Sequence, residues 1–132
     1  MTELIWVDGW QMQCCGKPFA VGAHVEWRLN DAPDLDWLKA ALEPVIARRI
    51  SYSVEHHDDP LGDHPLRPGT VVAIQAAFCR YAPTGPDNRM LYPVAGSAVL
   101  REVSRADGNV RDESGERFNG YVVEVELPPS RA

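Results

Sequence analysis

The sequence predicts a mainly β fold of α+β character with one helical segment, and three observations lead to this prediction. Hydrophobic and polar residues alternate over several short stretches, which is typical of half-buried strands. Turn-forming Gly, Pro and Asp residues separate these stretches. Apolar residues follow a helical spacing once, near the middle of the chain. About five to seven short strands and one helix indicate a small, strongly bent sheet or a partly open barrel of the SH3 or OB type.

Length, charge and composition limit what the chain can be. The 132 residues fit a single domain over residues 1–132, and a hydrophobic fraction of 45% can supply a core. A formal net charge of −6 repels phosphate backbones, so nucleic acid is not an expected partner. No apolar stretch approaches the roughly 20 residues of a membrane-spanning helix, so no membrane is expected either.

Alternation places the strands. Val25, Trp27 and Leu29 share one face of a predicted strand, and Tyr121 and Val123 begin the inward face of the last one. The predicted strands are residues 4–7, 10–13, 24–29, 50–55, 70–81, 94–105 and 118–127. Residues 58–69, 82–88 and 106–117 are rich in Gly, Pro or charge, and they predict loops.

The helical segment is predicted at about residues 34–49. Leu38, Leu42 and Val45 belong to an apolar stripe at helical spacing, and Asp31 or Asp34 could cap its start. Pro44 lies inside the stripe, where it removes a backbone donor and clashes with the preceding turn. We therefore expect a kink at Pro44, or two short helices that meet there.

Several motifs resemble an uncharacterised actinobacterial family of small domains of unknown function. The run WVDGWQMQCCG at residues 6–16, followed by Pro18-Phe19 and Val21-Gly22, is the main one. Glu55-His56-His57, Pro93-Val94-x-Gly96-Ser97 and Phe118-x-Gly120-Tyr121 are also similar. The resemblance covers nearly the whole chain and implies no activity.

The three cysteines suggest free or metal-bound thiols, because their count is odd and adjacent cysteines rarely bridge. This favours a reducing compartment, and we expect a cytoplasmic protein. Thiolates and imidazoles are the ligands that zinc prefers, so zinc is the candidate metal. The candidate ligands are Cys14, Cys15, His56, His57 and His64, with Asp63 as a substitute for His64. Neither Cys-x-x-Cys nor regularly spaced histidines occur, so buried cysteines and solvated histidines are the favoured explanation.

The same residues suggest a second chemistry, a cysteine nucleophile. Cys14 or Cys15 could attack a substrate if His56 or His57 lowered the pKa of its thiol. No family-specific cysteine signature and no phosphate-binding glycine motif accompany them.

Tryptophan and methionine suggest binding instead. If Trp10 and Met12 were exposed beside Cys14 and Cys15, they would form an apolar patch for a protein partner. We therefore predict a binding or interaction module without catalytic activity, which binds a protein partner or forms a homo-oligomer. A zinc-binding regulator or a cysteine- and histidine-dependent enzyme is the alternative.

Overall fold

The computed structural model describes residues 2–55, 65–87, 89–112 and 115–128. Of these residues, 52% lie in strands and 15% in helices, which confirms a mainly β fold. The helices are α1 (Gly9–Cys14), α2 (Leu35–Ala41) and α3 (Pro44–Ala47). The strands are β1 (Thr2–Asp8), β2 (Phe19–Ala20), β3 (His24–Asn30), β4 (Ile50–Glu55), β5 (Leu66–Cys79), β6 (Tyr81–Pro83), β7 (Leu91–Pro93), β8 (Val99–Val103), β9 (Arg105–Ala106) and β10 (Arg117–Glu126).

Strand pairing closes a ring of five strands. Strand β1 pairs with β10, β10 with β5, β5 with β3, β3 with β4, and β4 with β1. The β1–β4 pair is parallel and the other four are antiparallel. The 14 residues of β5 allow this closure, because its first part pairs with β3 and the rest with β10 and β8.

Two bulges bend the long β5–β10 pair. The register passes from Glu124↔Ala73 to Val125↔Val71, so Val72 has no partner on β10. The exposed fraction of Val72 is 41%, whereas Val71 is buried in the core. Val71 and Ile74 are therefore both buried although they are three residues apart, because the extra residue of a bulge shifts the following side chains to the other face.

Side chains on the two faces of the ring form two hydrophobic clusters. The cluster on the inner face includes Ile5, Val7 and Tyr121. The cluster on the outer face joins Trp6 and Val122 to Leu38 and its neighbours on α2 and α3. Successive residues of β1 and β10 thus enter different clusters, so the middle part of each strand is buried on both faces.

The break at Pro44 is confirmed. Helix α2 ends at Ala41 and α3 begins at Pro44, where proline lacks a backbone N–H that the first helical turn does not use. Asp34 is the N-cap of α2, and its side chain accepts a hydrogen bond of 3.2 Å from the backbone N–H of Trp37.

Other local predictions need correction. The described residues contain three helices, not one, because residues 10–13, predicted as a strand, belong to α1. The predicted strand over residues 94–105 is two strands, β8 and β9. Strand β7 follows the predicted loop at residues 82–88 and was not expected, since three residues are too few to show alternation.

In the part of the chain that the structure describes, no helix is long and apolar enough to cross a membrane.

Gly120 gives a direct test of the β1–β10 contact. A Cβ at this position would overlap the carbonyl oxygen of Val7 and lie 2.8 Å from the Trp6 indole ring. We expect Gly120→Ala to lower the free energy of unfolding by about 1–3 kcal/mol, because the backbone must move apart. Chemical denaturation measures this change. Gly85→Ala is the control, since an added Cβ there meets nothing within 4 Å, and a loss as large as that of Gly120→Ala would contradict the explanation.

Candidate functional site

A cleft of about 660 Å³ opens where β1 ends and α1 begins. Its aromatic lining includes Trp6, Trp10 and Trp37, and we refer to it as the tryptophan cleft. Residues from β1, α1, β3, β4, β6, β10 and the first half of α2 contribute to its walls. This volume lies within the range of small-molecule sites, about 300–1,000 Å³.

Close backbone packing positions the cleft. Gly9 begins α1 directly after β1, and a Cβ there would lie 2.6 Å from the Phe118 ring and 3.0 Å from the carbonyl oxygen of Asn119. Only glycine therefore allows α1 to lie this close to β10. The Asp8-Gly9 pair ends β1 and turns the chain into the helix that lines one wall.

The three tryptophans differ in exposure. Trp6 has an exposed fraction of 3%, Trp37 is half-buried, and Trp10 has an exposed fraction of 57%. The Trp6 and Trp37 ring centroids are 5.8 Å apart, and the two ring planes are inclined by 58°. Two fixed rings thus form the inner wall, and a third lies at the rim.

Asp8 brings a carboxylate to the cleft. Its Oδ1 accepts a hydrogen bond of 2.8 Å from the indole Nε1–H of Trp6. Burial raises the pKa of Asp8 above its ordinary value, the hydrogen bond from Trp6 opposes this rise, and the negative charge of Glu55 adds to it. Burial is the dominant cause, so the charged form of Asp8 is held in an unfavourable environment.

Gln11 has a buried acceptor without a partner. Its side chain is 7% exposed and lines the cleft, and its Oε1 accepts no hydrogen bond. Among the described residues, Gln11 has the one buried polar side chain, and the other buried side chains are hydrophobic. A buried carbonyl without a donor is costly, and such groups are uncommon in native proteins.

Asn119, Tyr81 and Cys79 form a hydrogen-bonded group at the far wall. Asn119 is skipped in the β5–β10 register, and this second bulge directs its side chain toward the cleft. The Tyr81 hydroxyl donates to Asn119 Oδ1, and Asn119 Nδ2–H donates to Cys79 Sγ at 3.0 Å. Burial raises the pKa of Tyr81 to about 12 and also raises the pKa of the Cys79 thiol, so both keep their protons at neutral pH.

Cys14 and Cys15 form a disulfide, so the prediction of free or metal-bound thiols is wrong for this pair. The prediction rested on the odd number of cysteines and on the rarity of bridges between adjacent ones. In the structure, Cys14 is the last residue of α1 and Cys15 follows with φ −140° and ψ −20°. Their Cα atoms are 3.8 Å apart, the usual spacing across a trans peptide. Cys79 is the one free cysteine and is buried. The cytoplasmic location was inferred from free thiols and stays a prediction.

No contact among the described residues joins the cysteines and histidines that were predicted to form a metal site or a nucleophile site. His56, His57, His64 and Asp63 lie outside the described residues. Within the described ranges, no group of three or more His, Cys, Asp or Glu side chains is placed to hold a metal ion. A disulfide offers no thiolate, so zinc binding or nucleophilic attack by Cys14 or Cys15 requires the reduced pair and stays a prediction.

The expected apolar patch is only partly present. Trp10 is exposed, as are Cys14 and Cys15, but Met12 is 4% exposed and packs in the inner cluster. Met12 lies two residues after Trp10 on a helix, so the two side chains point in different directions. Met12 therefore contributes to the core and not to a surface.

Sequence analysis missed most of the cleft. Asp8, Gln11, Tyr81 and Asn119 carry no motif of their own, and they come from separate elements. The Asp8-Gly9 pair is typical of a turn, and it is the one local indication, because it marks where β1 ends.

Asp8→Asn tests the electrostatics of the cleft. Folding raises the pKa of Asp8, so its contribution to stability is full below the unfolded value and is lost as pH rises through the raised folded value. Asparagine is neutral and keeps an oxygen to accept from Trp6. We therefore expect Asp8→Asn to have a higher thermal midpoint than the parent protein at pH 7. This advantage should disappear as pH falls toward the ordinary value of 3.8.

Thermal unfolding followed by circular dichroism between pH 4 and pH 8 checks this. Asp36→Asn is the control, because Asp36 is an exposed residue in the first turn of α2 and lines no part of the cleft. It should bring no gain at pH 7. A lower midpoint for Asp8→Asn at pH 7 would show that the ionised carboxylate is favourable where it lies.

Comparison with known proteins identifies the family. No curated protein and no solved structure matches the chain. A family of unknown function, DUF6578, matches residues 1–127, which is nearly the whole chain. The expected resemblance to a family of unknown function is thereby confirmed, and the chain belongs to the DUF6578 family.

Proposed function

We propose that the domain is a binding module without catalytic activity, and that its ligand site is the tryptophan cleft. The observation that carries this proposal is Gln11, whose Oε1 is buried beside the cleft without a donor. When this side chain turns toward the cleft, a bound molecule that donates a hydrogen bond would satisfy it. A polar group that lacks a hydrogen bond in the free protein and gains one in the complex is typical of a binding pocket.

The rigidity of the cleft supports the same function. Trp6 is fixed by its hydrogen bond to Asp8 and by contact with Trp37, while Asn119 is fixed by Tyr81 and Cys79. A preformed site loses little conformational entropy when a ligand binds. Cys79 and Tyr81 are protonated at neutral pH and offer no nucleophile, which favours binding over covalent catalysis.

The scaffold in this proposal is a single domain in the cytoplasm. Its five-strand ring would be a small barrel of the SH3 or OB type, with α2 and α3 packed on its outer face. Barrels of this size are filled by side chains, and they bind ligands at their loops and strand ends. The tryptophan cleft lies at such a position, where β1 and β4 both end.

An NMR titration of the indole N–H signals tests the location of the site. The chain has four tryptophans, and three of them line the cleft. Trp27 is the internal control, because it packs against Phe19 with ring centroids 5.0 Å apart and lies outside the cleft. Among fragments of mixed charge, those that bind should shift the signals of Trp6, Trp10 and Trp37 and leave Trp27 unchanged. Binding fragments that shift none of the three cleft signals would refute the proposal.

Gln11→Met tests two effects assigned to this side chain, a cost to the stability of the free protein and a hydrogen bond to the ligand. Methionine is close in size and has no carbonyl, so the free protein should become more stable by about 1 kcal/mol once the unpartnered acceptor is removed. The same change should weaken binding of any fragment that shifts the three cleft signals, because the donor on the fragment loses its acceptor. Denaturation and titration of the variant measure both effects. A less stable variant with unchanged affinity would contradict the role assigned to Gln11.

A protein partner is the second candidate, favoured by exposed apolar residues on and around β7, which pairs with the cleft strand β6. Met90 is 77% exposed, and Leu91, Tyr92 and Val94 are exposed nearby on and after β7. Trp10 adds a further exposed ring. If this surface joins two copies of the chain, sedimentation velocity should show a dimer that Met90→Asp dissociates, while Arg89→Asp has a smaller effect. A monomer at all concentrations would exclude self-association as the function of this surface.

A further inference from the structure

We propose that the tryptophan cleft selects an organic cation with N–H donors, such as an alkylammonium or an alkylguanidinium group. This inference rests on the proposed function and names its ligand class. Three independent properties of the cleft support it: its hydrogen-bonding groups, its charge and its aromatic walls.

Three hydrogen-bond donors of the cleft are used within the protein. The Trp6 indole N–H donates to Asp8, the Tyr81 hydroxyl donates to Asn119, and the Asn119 amide donates to Cys79. Among the described residues, the one buried side-chain N or O atom without a hydrogen-bond partner is an acceptor, Oε1 of Gln11. A ligand that complements this arrangement must donate hydrogen bonds, and an ammonium or guanidinium group offers three or more donors and no acceptor.

The charge of the cleft has the sign that attracts a cation. Asp8, Asp34 and Glu55 line it, and among the described residues no Lys, Arg or His does. Two arginines lie near its edges. Arg28 is the cross-strand partner of Glu55, and the Arg117 guanidinium carbon lies 5.8 Å from the centroid of the Tyr81 ring. The hydrogen-bond donor to Asp8 is a neutral indole. A bound cation would place a positive charge beside this partly buried carboxylate and so offset the cost of its burial.

The aromatic walls suit the same ligand. A cation is attracted to the face of an aromatic ring, and tryptophan gives the strongest attraction. Trp6 and Trp37 line the cleft with ring centroids 5.8 Å apart, and the ring of Trp10, with an exposed fraction of 57%, lies at the rim. A carboxylate or phosphate ligand would instead meet the negative faces of these rings and the three carboxylates.

A matched series of small probes tests the inference. Butylamine, butanol and butanoate share one alkyl chain and differ in charge, and propylguanidine adds the second cation. Tetramethylammonium carries the charge without an N–H donor, and glucose carries donors without the charge. Titrations that follow the four indole N–H signals compare all six probes at pH 7, with Trp27 as the internal control.

We expect butylamine and propylguanidine to shift the Trp6, Trp10 and Trp37 signals and to bind at least about tenfold more tightly than butanol, butanoate or glucose. Tetramethylammonium should be weaker than butylamine, because it cannot donate to Gln11. Asp8→Asn should weaken binding of butylamine about tenfold. Asp36→Asn should leave it unchanged, since Asp36 lines no part of the cleft.

The outcomes separate the inference from the proposed function. If glucose or butanol shifts the three cleft signals at least as strongly as butylamine, the cation inference is overturned and the binding function stands. Preferred binding of butanoate would overturn it as well. If no probe shifts a cleft signal, both the inference and the proposed function fail.

Discussion

Strand β1 connects the two hydrophobic clusters, and the rest of the fold depends on this double burial. Ile5 and Val7 enter the inner cluster, while Trp6 enters the outer one with Leu38 and Val122. A shift of one residue in the register would exchange the two sets of side chains, so that Trp6 would have to fit the space of Ile5 or Val7. The fixed register places the end of β1 at one position relative to β4 and β10.

That end of β1 determines where the cleft forms. Asp8 is the last residue of the strand, and Gly9 lets α1 turn off directly against β10. Trp6 therefore has two functions: its ring fills the outer cluster, and its indole N–H holds the carboxylate of Asp8. The bulge at Asn119 adds the opposite wall, because it turns one side chain of β10 out of the regular alternation.

Sequence pattern predicted the parts of the fold that are regular over several residues. The alternation from Tyr121 onward, the inward face of β3 and the break at Pro44 are found in the structure, since each depends on local spacing or on a single backbone property. Helix α1 was mistaken for a strand because its six residues complete fewer than two turns, which is too short for a helical period to show. The bulges at Val72 and Asn119 depend on pairing between distant strands, so no local pattern indicates them. The cleft could not be predicted for the same reason, because its walls come from elements that are far apart in the chain.

Two polar side chains of the domain lie in environments that are unfavourable for them, and both line the tryptophan cleft. The inner and outer clusters consist of apolar and aromatic side chains that are well buried. Asp8 and Gln11 differ, because one holds its charge against a burial cost and the other has a buried carbonyl without a donor. They are three residues apart at the start of α1, and both line the tryptophan cleft. Folding alone would be served better by neutral or apolar side chains at both positions. The proposed ligand, a hydrogen-bond donor held between fixed aromatic walls, would compensate both groups at once.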